Sequence, residues 1–221
     1  MFHQIKHIMT KPIVILDLDL TLIHAVPTSD IQKKYKDKVE MASKLSSLKL
    51  HDMEEDGKSY YLVFERPGLQ DFLDYLFKNF RVIVWTAATK AYAAFIIEKI
   101  LLQGKDRKIE FVFVHHHCKR SKRRYGNDNP KNLEMLMNLY KIPDMKRTNT
   151  FIIDDHPDVK EKNGNMCISA PEYIALNEDT MELSTIAHSD DFLQKLKVGL
   201  DKYLVEFKRN DGIVEDVNKF M

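Results

Sequence analysis

Cysteine is scarce in this chain. Its 221 residues hold two, Cys118 and Cys167, far apart and with no Cys-x-x-Cys pair, so no disulfide framework is available and a reducing compartment fits. No apolar run approaches the length of about 18 residues that would span a bilayer, and the N-terminus, Met1-Phe2-His3-Gln4-Ile5-Lys6-His7, lacks the apolar core of a signal peptide. An excess of either charge is missing as well. The 34 basic residues face 33 acidic ones for a net charge of +1, so the chain as a whole does not advertise nucleic-acid or membrane binding, and any basic site must be local. Internal repeats and low-complexity linkers are absent too. These absences lead to the expectation of a soluble intracellular protein, nuclear or cytoplasmic, with no membrane partner. At 44% hydrophobic content the chain can bury one core, so residues 1–221 are expected to form a single domain with room for one insertion.

What the sequence does contain is a buried strand that ends in acids. In Pro12-Ile13-Val14-Ile15-Leu16-Asp17-Leu18-Asp19-Leu20-Thr21-Leu22, four apolar residues, three of them β-branched, run directly into two carboxylates at spacing two. Side chains alternate along a strand, so Asp17 and Asp19 leave its end pointing the same way.

The rest of the chain repeats this punctuation. After Ile23–Pro27 comes a stretch near 28–58, dense in Lys, Asp, Glu and Ser, that reads as an exposed insertion with a hairpin closed by Asp56-Gly57. Tyr60–Phe64 reads as a strand, and Leu69, Phe72, Leu73, Leu76 and Phe77 form the apolar stripe of a helix. Strands over Arg81–Trp85, Glu110–Val114, Thr150–Ile153 and Met166–Ile168 alternate with helices over Lys90–Leu102, from Asn129 or Pro130, and from beyond Ser189. The residues over 209–221 are expected to form a flexible tail. Alternation of this kind implies an α/β fold with a mainly parallel central sheet and helices on both faces. In such sheets ligands bind outside the carboxyl ends of the strands. Three strands end in Asp17-x-Asp19, Thr86 and Asp154-Asp155, so polar groups distant in sequence converge on one crevice.

Four clustered carboxylates repel one another, and a hard divalent cation such as Mg²⁺ keeps them ionised together. That set suits phosphoryl transfer. One acid attacks phosphorus and a second protonates the leaving oxygen, roles that fit Asp17 and Asp19; the Thr86 hydroxyl and the Lys131 ammonium complete the charge compensation.

The ordered segments Asp17-Leu18-Asp19-Leu20-Thr21-Leu22-Ile23-His24, Arg66-Pro67-Gly68, Trp85-Thr86-Ala87-Ala88, Pro130-Lys131-Asn132-Leu133 and Ile153-Asp154-Asp155-His156-Pro157 resemble the signature of the haloacid dehalogenase superfamily. The nearest branch is the FCP/SCP group, phosphatases of the RNA polymerase II C-terminal domain and their NLI-interacting-factor relatives. The resemblance covers roughly residues 12–205. It implies a Rossmann-like fold with a small insertion after the first strand, a phosphoprotein substrate, and a Mg²⁺ ion held by Asp17, the Asp19 backbone carbonyl and Asp155, with Asp154 in support. It also implies that Asp17 becomes an aspartyl-phosphate, that Asp19 acts as general acid and then as base for water, and that Thr86 and Lys131 hold the phosphoryl group, with Thr21 beside the substrate. Two departures stand out: Leu20 where this branch usually has Glu, and Asp155 where its small members usually have Asn.

Two further signals compete. His115-His116-His117-Cys118 is histidine- and cysteine-rich, but four adjacent residues lack the ligand spacing of a tetrahedral zinc site. The run Lys119-Arg120-Ser121-Lys122-Arg123-Arg124 reads as a solvated loop, a localisation signal or a clamp for an anionic substrate, with Arg123 and Arg124 as its candidate contacts. The leading reading is a Mg²⁺-dependent phosphoserine/phosphothreonine phosphatase; a polynucleotide-end phosphatase and a non-catalytic module of the same fold are the alternatives.

Overall fold

The computed structural model describes residues 11–35, 43–177 and 179–221. Strand β1 (Ile13–Leu16) lies at the centre of a parallel five-stranded sheet with β5 (Arg81–Trp85) and β6 (Ile109–Phe113) on one side and β7 (Thr150–Asp154) and β8 (Cys167–Ser169) on the other. A central strand with both faces covered needs apolar side chains in both directions, and all four residues of β1 are buried. Val14 and Leu16 pack on one face with helices α2 (Leu69–Asn79), α3 (Lys90–Ile96, extended by a wider π-type turn over Ile97–Leu101) and α6 (Phe192–Arg209). Ile13 and Ile15 pack on the other with α4 (His115–Tyr125), the helical segment of Leu133 and Leu136, whose π-type turn spans Met135–Leu139, and α5 (Pro157–Asn163). The chain departs from β1 towards β5 and later returns to its opposite side at β7, so the crevice between these neighbours is the topological switch point.

A smaller antiparallel sheet, in the order β2 (Ile23–Pro27), β4 (Lys58–Glu65), β3 (Leu50–Glu55), carries its own apolar cluster with Ile31, Tyr173 and Leu176. Helix α1 (Thr28–Lys34) follows β2. Strands β3 and β4 meet in the expected Asp56-Gly57 turn, whose two residues have φ of 51° and 74°, the pair of positive values that a tight hairpin requires. Residues 36–42 of the expected insertion lie outside the described residues.

Three features depart from the sequence reading. Ile23–Pro27 is a strand, because it pairs with β4 from Ile23↔Glu65 to Pro27↔Tyr61. The basic run is not a loop but the body of α4, which buries Cys118 and Ser121 and packs His117 against Phe113 of β6. The last residues are not loose: the Val214 amide donates to the Thr148 carbonyl at 2.8 Å, Val217 is buried, and Phe220 packs edge-on against Tyr203. Among the described residues no helix is long and apolar enough to cross a membrane.

Candidate active site

Register alone brings the acids together. Leu16 pairs with Val84 on one side and Ile153 on the other, so the next residue, Asp17, emerges level with Trp85 and Asp154, and its amide donates to the Ile153 carbonyl at 3.1 Å. Lys131 reaches this point from the turn after α4. Its Nζ lies 2.7 Å from Asp17 Oδ1 and 2.7 Å from Asp154 Oδ2, and all three side chains are nearly or fully buried. Asp154 is held further by the His156 amide, which donates to Oδ1 at 3.0 Å.

The loop after β1 is shaped to bring Thr21 back to the last acid. Leu20 sits in the left-handed region at φ 58°, unusual for a bulky side chain, and the turn is fixed by Leu20 N–H donating to Ile23 O and Tyr173 N–H to Leu20 O. The Thr21 hydroxyl donates to Asp155 Oδ1 at 2.7 Å and accepts from the Asp155 amide at 3.1 Å. Thr21 is fully buried, and its hydroxyl is engaged in orienting Asp155. Arg66 clamps the same loop from behind. Its guanidinium donates to the carbonyls of Thr21 and Pro171 and, in bidentate fashion, to Asp190, and it stacks on Phe192.

Asp19, two residues beyond Asp17, has a different neighbour. The Tyr92 phenol donates to its Oδ1 at 2.5 Å, a contact the sequence reading did not contain because Tyr92 also fits the apolar stripe of its helix. Thr86 is buried at the end of β5; its Oγ1 accepts from the Ala88 amide at 3.0 Å, which leaves the hydroxyl proton available to a ligand.

Electrostatically the pocket is short of positive charge. Burial, together with Asp154 and Asp155, pushes the Asp17 carboxyl well above the usual carboxylate range against the pull of Lys131. Burial likewise raises Asp19 and Asp154. Burial alone would lower Lys131, yet Asp17 and Asp154 outweigh it and hold the ammonium above its ordinary value. Asp17, Asp154 and Asp155 each offer one oxygen within 4.8 Å of the others, a hard all-oxygen set that could hold a divalent cation. His115 to His117 are not part of such a group. They open α4, where His117 Nδ1 accepts from the Val114 amide at 2.9 Å.

Arg123 and Arg124 are exposed near the end of α4. The opposite face of that helix touches the crevice at two points: Cys118 Sγ contacts the Thr86 carbonyl, and the Ser121 hydroxyl donates to Asn129 O while accepting from the Asn132 amide, bracing the turn that carries Lys131.

A parallel sheet with acids at the ends of adjacent strands, a buried lysine between them and an antiparallel insertion after the first strand define a fold of the haloacid dehalogenase type. The chain belongs to the NLI interacting factor-like phosphatases, the family that matches residues 12–203. It is 42% identical over 193 residues to a protein of Invertebrate iridescent virus 6 described as CTD phosphatase-like protein 355R, covering 86% of this chain and 98% of that one. Its counterpart in Invertebrate iridescent virus 3 is 41% identical over 150 residues, covering 66% and 75%. Among solved structures it is similar to Fcp1, described as an essential RNA polymerase II CTD phosphatase, with a TM-score of 0.61 at 20% identity over 90% of this chain. The match spans 64% of the Fcp1 chain.

Proposed function

We propose that the protein is a Mg²⁺-dependent phosphatase that works through an aspartyl-phosphate on Asp17. The observation that carries this reading is the contact of one buried lysine with Asp17 and Asp154 at the sheet's switch point, beside Asp155. Three carboxylates against one ammonium leave the pocket with excess negative charge, which fits a divalent cation held by Asp17, Asp155 and the Asp19 backbone carbonyl, with Asp154 in support. When bound, Mg²⁺ would offset charge on the phosphoryl oxygens and the carboxylates.

The chain's own groups divide the remaining work. An Asp17 carboxylate oxygen attacks phosphorus as the bond to the leaving oxygen breaks, and Asp19 gives that oxygen its proton. Asp19, now a carboxylate, takes a proton from a water whose oxygen bonds phosphorus as the bond to Asp17 breaks, so that phosphate leaves, Asp17 is again a carboxylate and Asp19 again an acid. Lys131 and the Thr86 hydroxyl hold the phosphoryl oxygens, and Thr21 keeps Asp155 in place.

The substrate read here is phosphoserine or phosphothreonine in an extended protein segment, in keeping with relatives described as CTD phosphatase-like. Helix α4 favours a polyanion. Among the described residues none of Lys119, Arg120, Lys122, Arg123 and Arg124 lies in an ion pair, whereas Lys33, Arg107, Lys162 and Lys195 all do. The same cations would serve a polynucleotide end. Phosphate release from a phosphopeptide panel and from 3′-phosphorylated oligonucleotides, with Mg²⁺ or EDTA, tests both readings. Peptide turnover that stops in EDTA is expected, as is a rise in KM for the peptide in the Arg123→Ala/Arg124→Ala variant that shrinks with added salt. Full activity in EDTA would refute the metal, and turnover confined to oligonucleotides would replace the substrate.

A further inference from the structure

Packing and a hydrogen bond together hold Tyr92 against Asp19. Tyr92 lies in the first turn of α3, just after the loop that begins at Thr86, and its half-buried ring packs against the main core. Its phenol donates a short hydrogen bond to Asp19 Oδ1 at 2.5 Å. The ring is braced from elsewhere in the molecule. Tyr61 of β4 meets it edge-on, with centroids 5.7 Å apart and planes at 82°. Tyr61 and Val63 project from the face of β4 opposite Leu62 and Phe64; the latter two fill the cluster of the small sheet, whereas Val63 and Tyr61 pack against the main core. The small sheet thus presses on Tyr92, and Tyr92 on Asp19.

We propose that Tyr92 is a positioning residue for proton transfer: its phenol fixes Asp19 Oδ1 so that Oδ2 is the oxygen that exchanges the proton, and Tyr61 holds the phenol in place. This rests on the reading of Asp19 as general acid. In the first step the proton passes from Asp19 Oδ2 to the leaving ester oxygen while the phosphorus bond to that oxygen breaks and the bond to Asp17 forms. Negative charge then gathers on the Asp19 carboxylate, and the phenol, which keeps its own proton, bonds it more strongly than before. An interaction that strengthens as the reaction proceeds raises kcat rather than lowering KM. Its value depends on how much the leaving group needs the proton. An alkoxide leaving from phosphoserine needs it fully, whereas para-nitrophenolate hardly does.

The test compares Tyr92→Phe with the native protein on a phosphoserine peptide and on para-nitrophenyl phosphate. Phenylalanine keeps the ring and its contact with Tyr61, so the fold is not at stake. The expected result is a fall in kcat of about 10-fold on the peptide and less than about 3-fold on the aryl ester, with both KM values within about 2-fold. Asp19→Asn should show the same selectivity in a stronger form. In the Asp19→Asn background, assayed at high enzyme concentration, Tyr92→Phe should change peptide turnover by less than about 2-fold, because the phenol then has no carboxylate to orient. Equal losses on the two esters, or a full multiplicative loss in the Asp19→Asn background, would overturn the proposal while leaving Asp19 as the acid. Loss of selectivity in Asp19→Asn itself would remove the acid assignment, and the positioning role with it.

Discussion

Lys131 keeps its charge where a lone ammonium would lose it. It is buried, but two carboxylates at 2.7 Å supply more attraction than burial takes away. His24 is the opposite case. It is equally buried on β2, yet faces no carboxylate; its Nδ1 accepts from the amides of Ala175 and Leu176 and its ring stacks near Phe64, so burial pulls it down to about 4. A histidine that stays neutral in the fold but titrates near 6.5 when unfolded stabilises the protein above that value, and the contribution is lost as the pH falls from about 6.5 to about 4. The loss should reach roughly 2–3 kcal/mol at the acid end. Urea midpoints at pH 7 and pH 4.5 for the native protein and for His24→Gln check this. The native protein should lose more stability on acidification than the variant, and parallel losses would mean that His24 is not the group involved.

Among the elements, β1 was the most legible because one short run states its whole environment: apolar in both directions for two covered faces, then acids where the sheet ends. The parallel strands β5, β6 and β7 read from the same grammar, and the helix over Leu69–Asn79 from its period. What escaped depended on partners distant in sequence or on weak patterning. Strand β2 exists because β4 pairs with it some forty residues later, and α4 buries only Cys118 and Ser121, which gives no apolar stripe to detect. The contact that Thr21 makes, and Tyr92 itself, escaped for another reason. Their hydroxyls meet Asp155 and Asp19 only once the left-handed turn at Leu20 and the first turn of α3 have formed. The packed C-terminus follows from a contact no local pattern encodes: a Cβ on Gly199 of α6 would lie 2.6 Å from the Phe220 carbonyl. Gly199→Ala should therefore cost about 1–3 kcal/mol and release the last turn, although alanine is the better helix former. Val198→Ala, at an exposed position of the same helix, should change stability by less than about 0.5 kcal/mol. Melting temperatures of the two variants, with proteolysis of the C-terminus, distinguish them, and equal melting temperatures would show that the tail does not rest on α6 in solution.

At the scale of the whole molecule, the two sheets divide the labour. The parallel sheet sets Asp17, Thr86, Asp154 and Asp155 at the ends of adjacent strands, and the smaller sheet, inserted between β1 and β5, closes on the crevice through Tyr61 and Tyr92 and is tied to the β1 loop through Arg66. The near-neutral net charge is also unevenly spread, since among the described residues the five cations of α4 have no carboxylate partner and lie beside the turn that carries Lys131. All of this converges on one carboxylate. Phosphate release from a phosphoserine peptide in Mg²⁺, measured for the native protein and for Asp17→Asn, tests that convergence most directly, because the amide occupies the same volume but cannot form an acyl-phosphate. Turnover should fall by at least about 10³-fold while the variant melts at or above the native temperature, freed of one buried negative charge. An Asp17→Asn protein that folds normally and still releases phosphate at the native rate would contradict the assignment of Asp17 as the nucleophile.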